Sequence, residues 1–144
     1  MCRRTLLRTV AISFLLIFVL TTSLFAGGKK EDETSFLISI ADLDELAKTD
    51  DILVLDIRDQ ASYNAGHIPG ALLVPLQQVE AAADQLRDRA TKLVTYCSCP
   101  AEESSMSAAL KLRARGITNV YVLVGGYDEW IRQRRPVISG SAPL

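Results

Sequence analysis

The sequence of 144 residues is poor in the groups that several function classes require. It has one histidine, His67, and three cysteines. A structural zinc site takes four Cys or His ligands, and Cys2 lies in a segment that reads as an export signal. Such a zinc fold is excluded, and no metal is expected. Positive charge is not in excess either: 16 Lys and Arg stand against 17 Asp and Glu, a formal net charge of -1. That argues against a nucleic-acid binder relying on bulk positive charge. There is no internal repeat and no low-complexity segment. What is present is an ordinary globular mix, 49% hydrophobic and 23% charged. The length suits one domain and is too short for two.

The first residues read as an address. Arg3, Arg4 and Arg8 form a positive region, and Val10 to Leu20 is an apolar run broken only by Ser13. Small residues follow at Ala26-Gly27-Gly28, acceptable to a signal peptidase. Residues 1–28 are therefore expected to be a signal peptide. The alternative is an uncleaved membrane anchor, since Thr9 to Gly28 carries no charge and a bilayer span needs about 20 residues. In both cases the arginines stay inside and the domain is exported, periplasmic or on the extracellular face. The membrane is met only through this segment. Residues 29–35 read as a polar tether. Loss of the signal removes Cys2 and leaves Cys97 and Cys99 as an isolated pair. In an oxidising compartment such a pair is redox-active or a local bridge.

From Phe36 onward apolar runs alternate with amphipathic stretches. Strands are expected at Phe36–Ile38, Ile52–Asp56, Ala71–Val74, Leu93–Cys97 and Val120–Val124. Helices are expected over Ala41–Ala47 capped by Ser39, over Leu76–Arg89, over Ser104–Arg115 ended by Gly116, and after Gly125-Gly126 through Trp130 and Ile131. Short connections between alternating strands and helices predict an α/β fold with a mostly parallel sheet. Residues 36–138 form the domain, and 139–144 a C-terminal tail.

Open α/β sheets bind ligands where strand ends meet helix starts. One such junction is Tyr96-Cys97-Ser98-Cys99-Pro100-Ala101-Glu102-Glu103. A cysteine there faces unpaired backbone N–H groups and a helix dipole, which lower a thiol pKa. A small buried hydrophobe is the competing reading of Cys97.

Three motifs separate these readings. Asp56-Ile57-Arg58 precedes Tyr63-Asn64-Ala65-Gly66-His67-Ile68-Pro69-Gly70-Ala71. Tyr96-Cys97 follows an apolar strand, and Gly125-Gly126-Tyr127-Asp128-Glu129-Trp130 closes the series. In order and spacing the chain resembles the rhodanese-like domain family over roughly residues 36–138. The resemblance implies a five-stranded, mostly parallel sheet flanked by helices on both faces. It also implies sulfur transfer through a persulfide on Cys97, from a small sulfur donor to a thiol or protein acceptor. Thiolate chemistry of this kind needs no metal and no organic cofactor.

The loop after Cys97 departs from the family pattern. Pro100 stands near the family's glycine and Glu102 near its arginine, and no Lys or Arg occurs between Cys97 and Leu110. Ser98, Cys99, Ala101, Glu102 and Glu103 are therefore secondary loop candidates, and thiosulfate is expected to be a poor donor. Cys-x-Cys-Pro-x-Glu is similar to a subgroup of rhodanese-like domains with this loop. Arg58 is the candidate substrate-binding cation, with an ion pair to Asp56 or Asp59 as its alternative role. Pro100, Glu102 and Glu103 also suit a helix start, where acids complement the dipole. His67 is expected to fix its own loop by a hydrogen bond, and Tyr127, Trp130 and Met106 to pack.

Other function classes stay open beside a sulfurtransferase. One is a thiol–disulfide protein cycling Cys97 and Cys99, whose short ring would be strained and easily reduced. Another is a non-catalytic binding module on the same fold. A cysteine phosphatase is disfavoured by the missing arginine, and Cu(I) binding by the lack of a third soft ligand.

Overall fold

A computed structural model describes residues 36–140. The expected signal or anchor and the polar tether lie outside the described residues, as do the last four residues of the tail. Five strands are present among the described residues: β1 (Leu37–Ile38), β2 (Ile52–Asp56), β3 (Leu72–Leu73), β4 (Lys92–Tyr96) and β5 (Val120–Leu123). They form one all-parallel sheet in the order β1-β5-β4-β2-β3. The helices are α1 (Ile40–Thr49), α2 (Gln60–Ala65), α3 (Val79–Leu86), α4 (Glu103–Ala114) and α5 (Gly126–Arg132).

The continuous apolar runs become strands because both faces of the sheet are covered. Leu55, Leu93 and Val120 face Ala83 and Leu86 of α3 and Ala109 and Leu112 of α4. On the other face Val94, Tyr96 and Leu123 meet Ile40 and Leu43 of α1 and Trp130 of α5. Each fully buried aliphatic side chain in these clusters contributes roughly 1.5–3 kcal/mol. Met106 packs at the margin of the first cluster, as expected.

Helix starts follow local chemistry. Ser39 Oγ accepts from Asp42 N–H at 3.1 Å, and Asp42 Oδ2 accepts from Ser39 N–H at 2.8 Å, a reciprocal cap for α1. Helix α2 is absent from the sequence reading. Its residues, Gln60-Ala61-Ser62-Tyr63-Asn64-Ala65, show no apolar period, and Tyr63 alone among them is buried. Its signal is the cap: Asp59 Oδ1 accepts from Ser62 N–H at 2.9 Å. The expected helix over Leu76–Arg89 opens instead as a 3-10 turn, Leu76–Gln78, before α3. Ser139 and Gly140, at the start of the expected tail, are bound to α2. The Gly140 N–H donates to Asn64 O at 2.9 Å, and the Ser139 hydroxyl donates to Ala65 O at 3.2 Å.

Register fixes where chemistry can occur. Asp56 of β2 lies opposite Tyr96 of β4, and Ile57 N–H continues the ladder to Tyr96 O at 3.0 Å. Arg58 and Cys97, one step further along, therefore leave the sheet side by side at its carboxyl edge.

Candidate active site

Cys97 follows the last residue of β4 and is buried, with 2% of its surface exposed. Its backbone is gripped from the β5–α5 turn, where Tyr127 N–H donates to Cys97 O at 2.9 Å. The close approach needs a glycine at 126. That residue has φ +48°, and a Cβ on it would stand 2.1 Å from Cys97 O. The paired glycines of the closing motif thus hold the cysteine's peptide in place.

Two groups reach the Cys97 sulfur. Cys99 N–H donates to Sγ at 3.3 Å, and the buried Ser105 hydroxyl lies 3.5 Å away. Ser105 Oγ is also 3.0 Å from Glu102 O, so its hydrogen can turn from that carbonyl to a Cys97 thiolate. The expected depression of the Cys97 pKa is not what the structure gives. Burial is the largest influence and pushes the Cys97 thiol up, against the stabilising contacts from Ser105 and Cys99 N–H. Cys99 behaves in the opposite way. Its partial burial works against ionisation, but hydrogen bonding with Ser104 and Cys97 lowers its thiol below the ordinary range. Cys99 Sγ sits 3.2 Å from Ser104 Oγ in the first turn of α4. Both cysteines are free thiols.

The loop between them and α4 is built differently from the sequence expectation. Pro100 does not open the helix. It occupies the second position of a turn closed by Glu102 N–H to Cys99 O at 3.3 Å, where a ring-fixed φ is favoured. Glu102 follows in the left-handed region, φ 53°, and α4 begins only at Glu103. The Glu102 carboxylate accepts from Gly125 N–H at 2.7 Å, strapping the loop to the β5–α5 turn. Ala101, Glu103 and Ser98 are exposed, and Ser98 and Cys99 line the cleft beside Cys97.

The opposite wall comes from β2 and α2. Arg58 Nε and Nη2 donate to Asp56 at 3.0 and 2.6 Å, and Nη2 also donates to Gly66 O at 2.7 Å. Asp56 is fully buried and takes a further bond from Tyr96 Oη at 2.5 Å. The guanidinium lies 4.0 Å from the centre of the Tyr127 ring. Burial opposes the Arg58 charge, but the Asp56 pair outweighs it and holds the pKa above its usual value. Burial, with the Asp56 charge, pushes the Tyr96 phenol well above its normal range. His67 Nδ1 is 2.9 Å from Tyr63 O, so this nitrogen carries the proton. The ring stacks on Tyr63 with centroids 3.7 Å apart, and the His67 backbone bridges to Ile138.

Between these walls lies an open cleft of about 370 Å³ with Cys97 and Arg58 on its lining. Ile57, Asp59, Ser62, Leu76, Gln77 and Ser104 complete it. Sequence reasoning missed Ser104, Ser105, Ser62 and Gln77, which lie on other elements and belong to no motif. It read Tyr127 as packing alone, although its N–H holds the Cys97 peptide. Among the described residues no cluster of three or more Cys, His, Asp or Glu is placed to hold a metal. No helix among them is long and apolar enough to cross a membrane.

A nucleophile-bearing loop at the carboxyl edge of a parallel sheet, set opposite an Asp-x-Arg wall, defines a class. Residues 39–133 match the rhodanese-like domain, and the chain belongs to that family of sulfurtransferases. The thiosulfate sulfurtransferase GlpE of Coxiella burnetii is 35% identical over 86 residues, covering 60% of this chain and 78% of that protein. GlpE of Pseudomonas entomophila is 40% identical over 78 residues, covering 54% and 69%. Among solved structures, BH2092 from Bacillus halodurans superposes with TM-score 0.64 at 26% identity, covering 92% of this chain and 86% of that one.

Proposed function

We propose that this chain is an exported sulfurtransferase that carries sulfur as a persulfide on Cys97. The observation that supports it best is the Cys97 sulfur at the cleft wall, met by Cys99 N–H at 3.3 Å and by the Ser105 hydroxyl. In the first step the Cys97 thiolate attacks the outer sulfur of a donor. A Cys97 sulfur–sulfur bond forms, the donor's own bond breaks, and its remainder leaves with the electron pair. With thiosulfate the leaving group is sulfite. In the second step a thiol or protein nucleophile takes the outer sulfur and Cys97 is released as thiolate. The Cys99 N–H and the Ser105 hydroxyl stabilise the anion at both ends of the cycle, and the site holds them already oriented.

Thiosulfate fits this cleft poorly. Arg58 is committed to Asp56 and Gly66 O, and the Asp59 carboxylate lies on the lining. A donor of lower charge, such as a thiol-borne persulfide, meets less repulsion. Export rests on the arginine-rich start and the apolar run that follows it.

The test is intact mass of the reduced protein after exposure to several sulfur donors. A gain of one sulfur atom is expected on Cys97 in the Cys99→Ser variant, and none when Cys97→Ser is added to it. Sulfur loading that survives Cys97→Ser would overturn the assignment.

A further inference from the structure

The loop that presents Cys97 also curls a second thiol around it. Cys99 N–H is bonded to the Cys97 sulfur, so the Cys99 residue wraps the nucleophile instead of leading away from it. Cys99 is partly exposed and lines the same cleft, whereas Cys97 is buried. The Cys99 sulfur has a hydroxyl at 3.2 Å, Ser104 Oγ, able to donate to a thiolate. A sulfurtransferase that only hands sulfur to an external acceptor uses the Cys99 N–H but needs no thiol at that position.

We propose that Cys99 resolves the Cys97 persulfide: its thiolate attacks the Cys97 sulfur, a Cys97–Cys99 disulfide forms, and hydrosulfide leaves into the cleft. The inference rests on the Cys97 persulfide reading and adds a second step to it. The balance is internal. The bond between Cys97 Sγ and the outer sulfur breaks, and the outer sulfur departs with that electron pair and its own proton. It is reduced by two electrons, which the two cysteines supply in becoming a disulfide. An external dithiol then restores both thiols by exchange and is itself oxidised to a disulfide.

Two considerations select the Cys97 sulfur over the outer one as the point of attack. Attack on the outer sulfur expels the Cys97 thiolate, which burial makes the poorer leaving group. Attack on the Cys97 sulfur expels hydrosulfide, the better one. The lowered pKa of Cys99 keeps a larger share of its thiol ionised for this step. The Cys-x-Cys ring that results is small and strained, hence readily reopened by a dithiol.

The experiment loads the full chain with inorganic polysulfide, removes the excess by desalting, and adds no thiol. Sulfide is then measured together with the mass of the tryptic peptide spanning residues 93–111, which holds both cysteines. The wild-type peptide is expected two hydrogens lighter than the dithiol, with sulfide released. Cys99→Ser and Cys99→Ala, which keep the backbone N–H toward Cys97, are expected to hold the extra sulfur on Cys97 and release none. A stable Cys97 persulfide in the wild type, with Cys99 still open to alkylation, overturns the inference and leaves the sulfurtransferase reading intact. Sulfur found on Cys99 overturns it too, in favour of a relay between the thiols. No sulfur on Cys97 in either variant, with the wild-type peptide still a dithiol, overturns the persulfide reading itself.

Discussion

The two walls of the cleft handle charge in opposite ways. On the β2 side a buried carboxylate, Asp56, is matched by Arg58 and by the Tyr96 hydroxyl, and the guanidinium is further used by Gly66 O and the Tyr127 ring. On the α4 side the cleft lining carries no cation, and backbone groups and hydroxyls surround the two thiols. The formal charges of the first wall are spent on structure. The proposed chemistry uses the second wall, where two thiols stand among N–H and O–H groups and no formal charge pair engages them. Under the proposed function, an anion at Cys97 is met by the Cys99 N–H and the Ser105 hydroxyl, which take the place of a loop arginine.

The sharpest way to break this contrast is to remove the buried carboxylate. Asp56→Ala leaves Arg58 without its counter-charge and Tyr96 without its acceptor. Loss of one partner from a buried pair costs about 3–5 kcal/mol. Urea unfolding is expected to show a loss of that size. A loss below about 1 kcal/mol would mean that Arg58 relaxes into the cleft and that the two walls are less distinct than described.

A smaller effect is expected on the loop side. Glu102→Ala removes the acceptor of Gly125 N–H and with it the strap between the loop and the β5–α5 turn. Hydrogen bonds to charged groups contribute roughly 1.5–3 kcal/mol, and partial exposure brings this one to about 1 kcal/mol. The position is also strained, with φ 53°, so Glu102→Gly is expected to recover part of the loss by relieving the backbone. Thermal melts of the two variants side by side make the check. Equal losses would assign the whole effect to the carboxylate.

How much of this was legible follows from where each residue's signal lies. The strands were readable because parallel strands buried on both faces are continuous apolar runs, and Ile52–Asp56 and Leu93–Tyr96 are such runs. Helix α2 was not, because it carries one buried side chain and its cap is a single aspartate. Cys97, Arg58 and the double glycine were found through motifs. Ser105 was not, since a serine near a helix start has many structural uses and its nearness to Cys97 depends on how α4 packs. Pro100 and Glu102 were read as a helix start because proline and acids favour that place. Of the loop acids, only Glu103 lies in the first turn of α4, which starts one residue before the expected Ser104. Glu102 stands in a left-handed turn bonded to Gly125 N–H. The Cys97 pKa was misjudged for a related reason: a strand end beside a helix start argues for anion stabilisation, but depth of burial is a tertiary property.

That last point gives the subtlest comparison, between two thiols two positions apart. Hydrogen bonds from Ser104 and Cys97 act on Cys99, while burial weighs most on Cys97, so Cys99 is expected to ionise before Cys97 as pH rises. Cys99, lowered from the ordinary thiol value, gains its thiolate first. Cys97, raised above it, follows at higher pH. Thiolates alone react at an appreciable rate with iodoacetamide. At neutral pH Cys99 is therefore expected to be carbamidomethylated faster, by about tenfold for each pH unit that separates the two thiols. The gap should close as pH rises past the Cys97 range. Peptide masses from brief alkylation across a pH series read both rates at once, with Cys97→Ser and Cys99→Ser assigning each signal. Faster labelling of Cys97 at neutral pH would show that the Cys99 N–H and the Ser105 hydroxyl outweigh burial. The Cys97 sulfur would then be the site's resting thiolate.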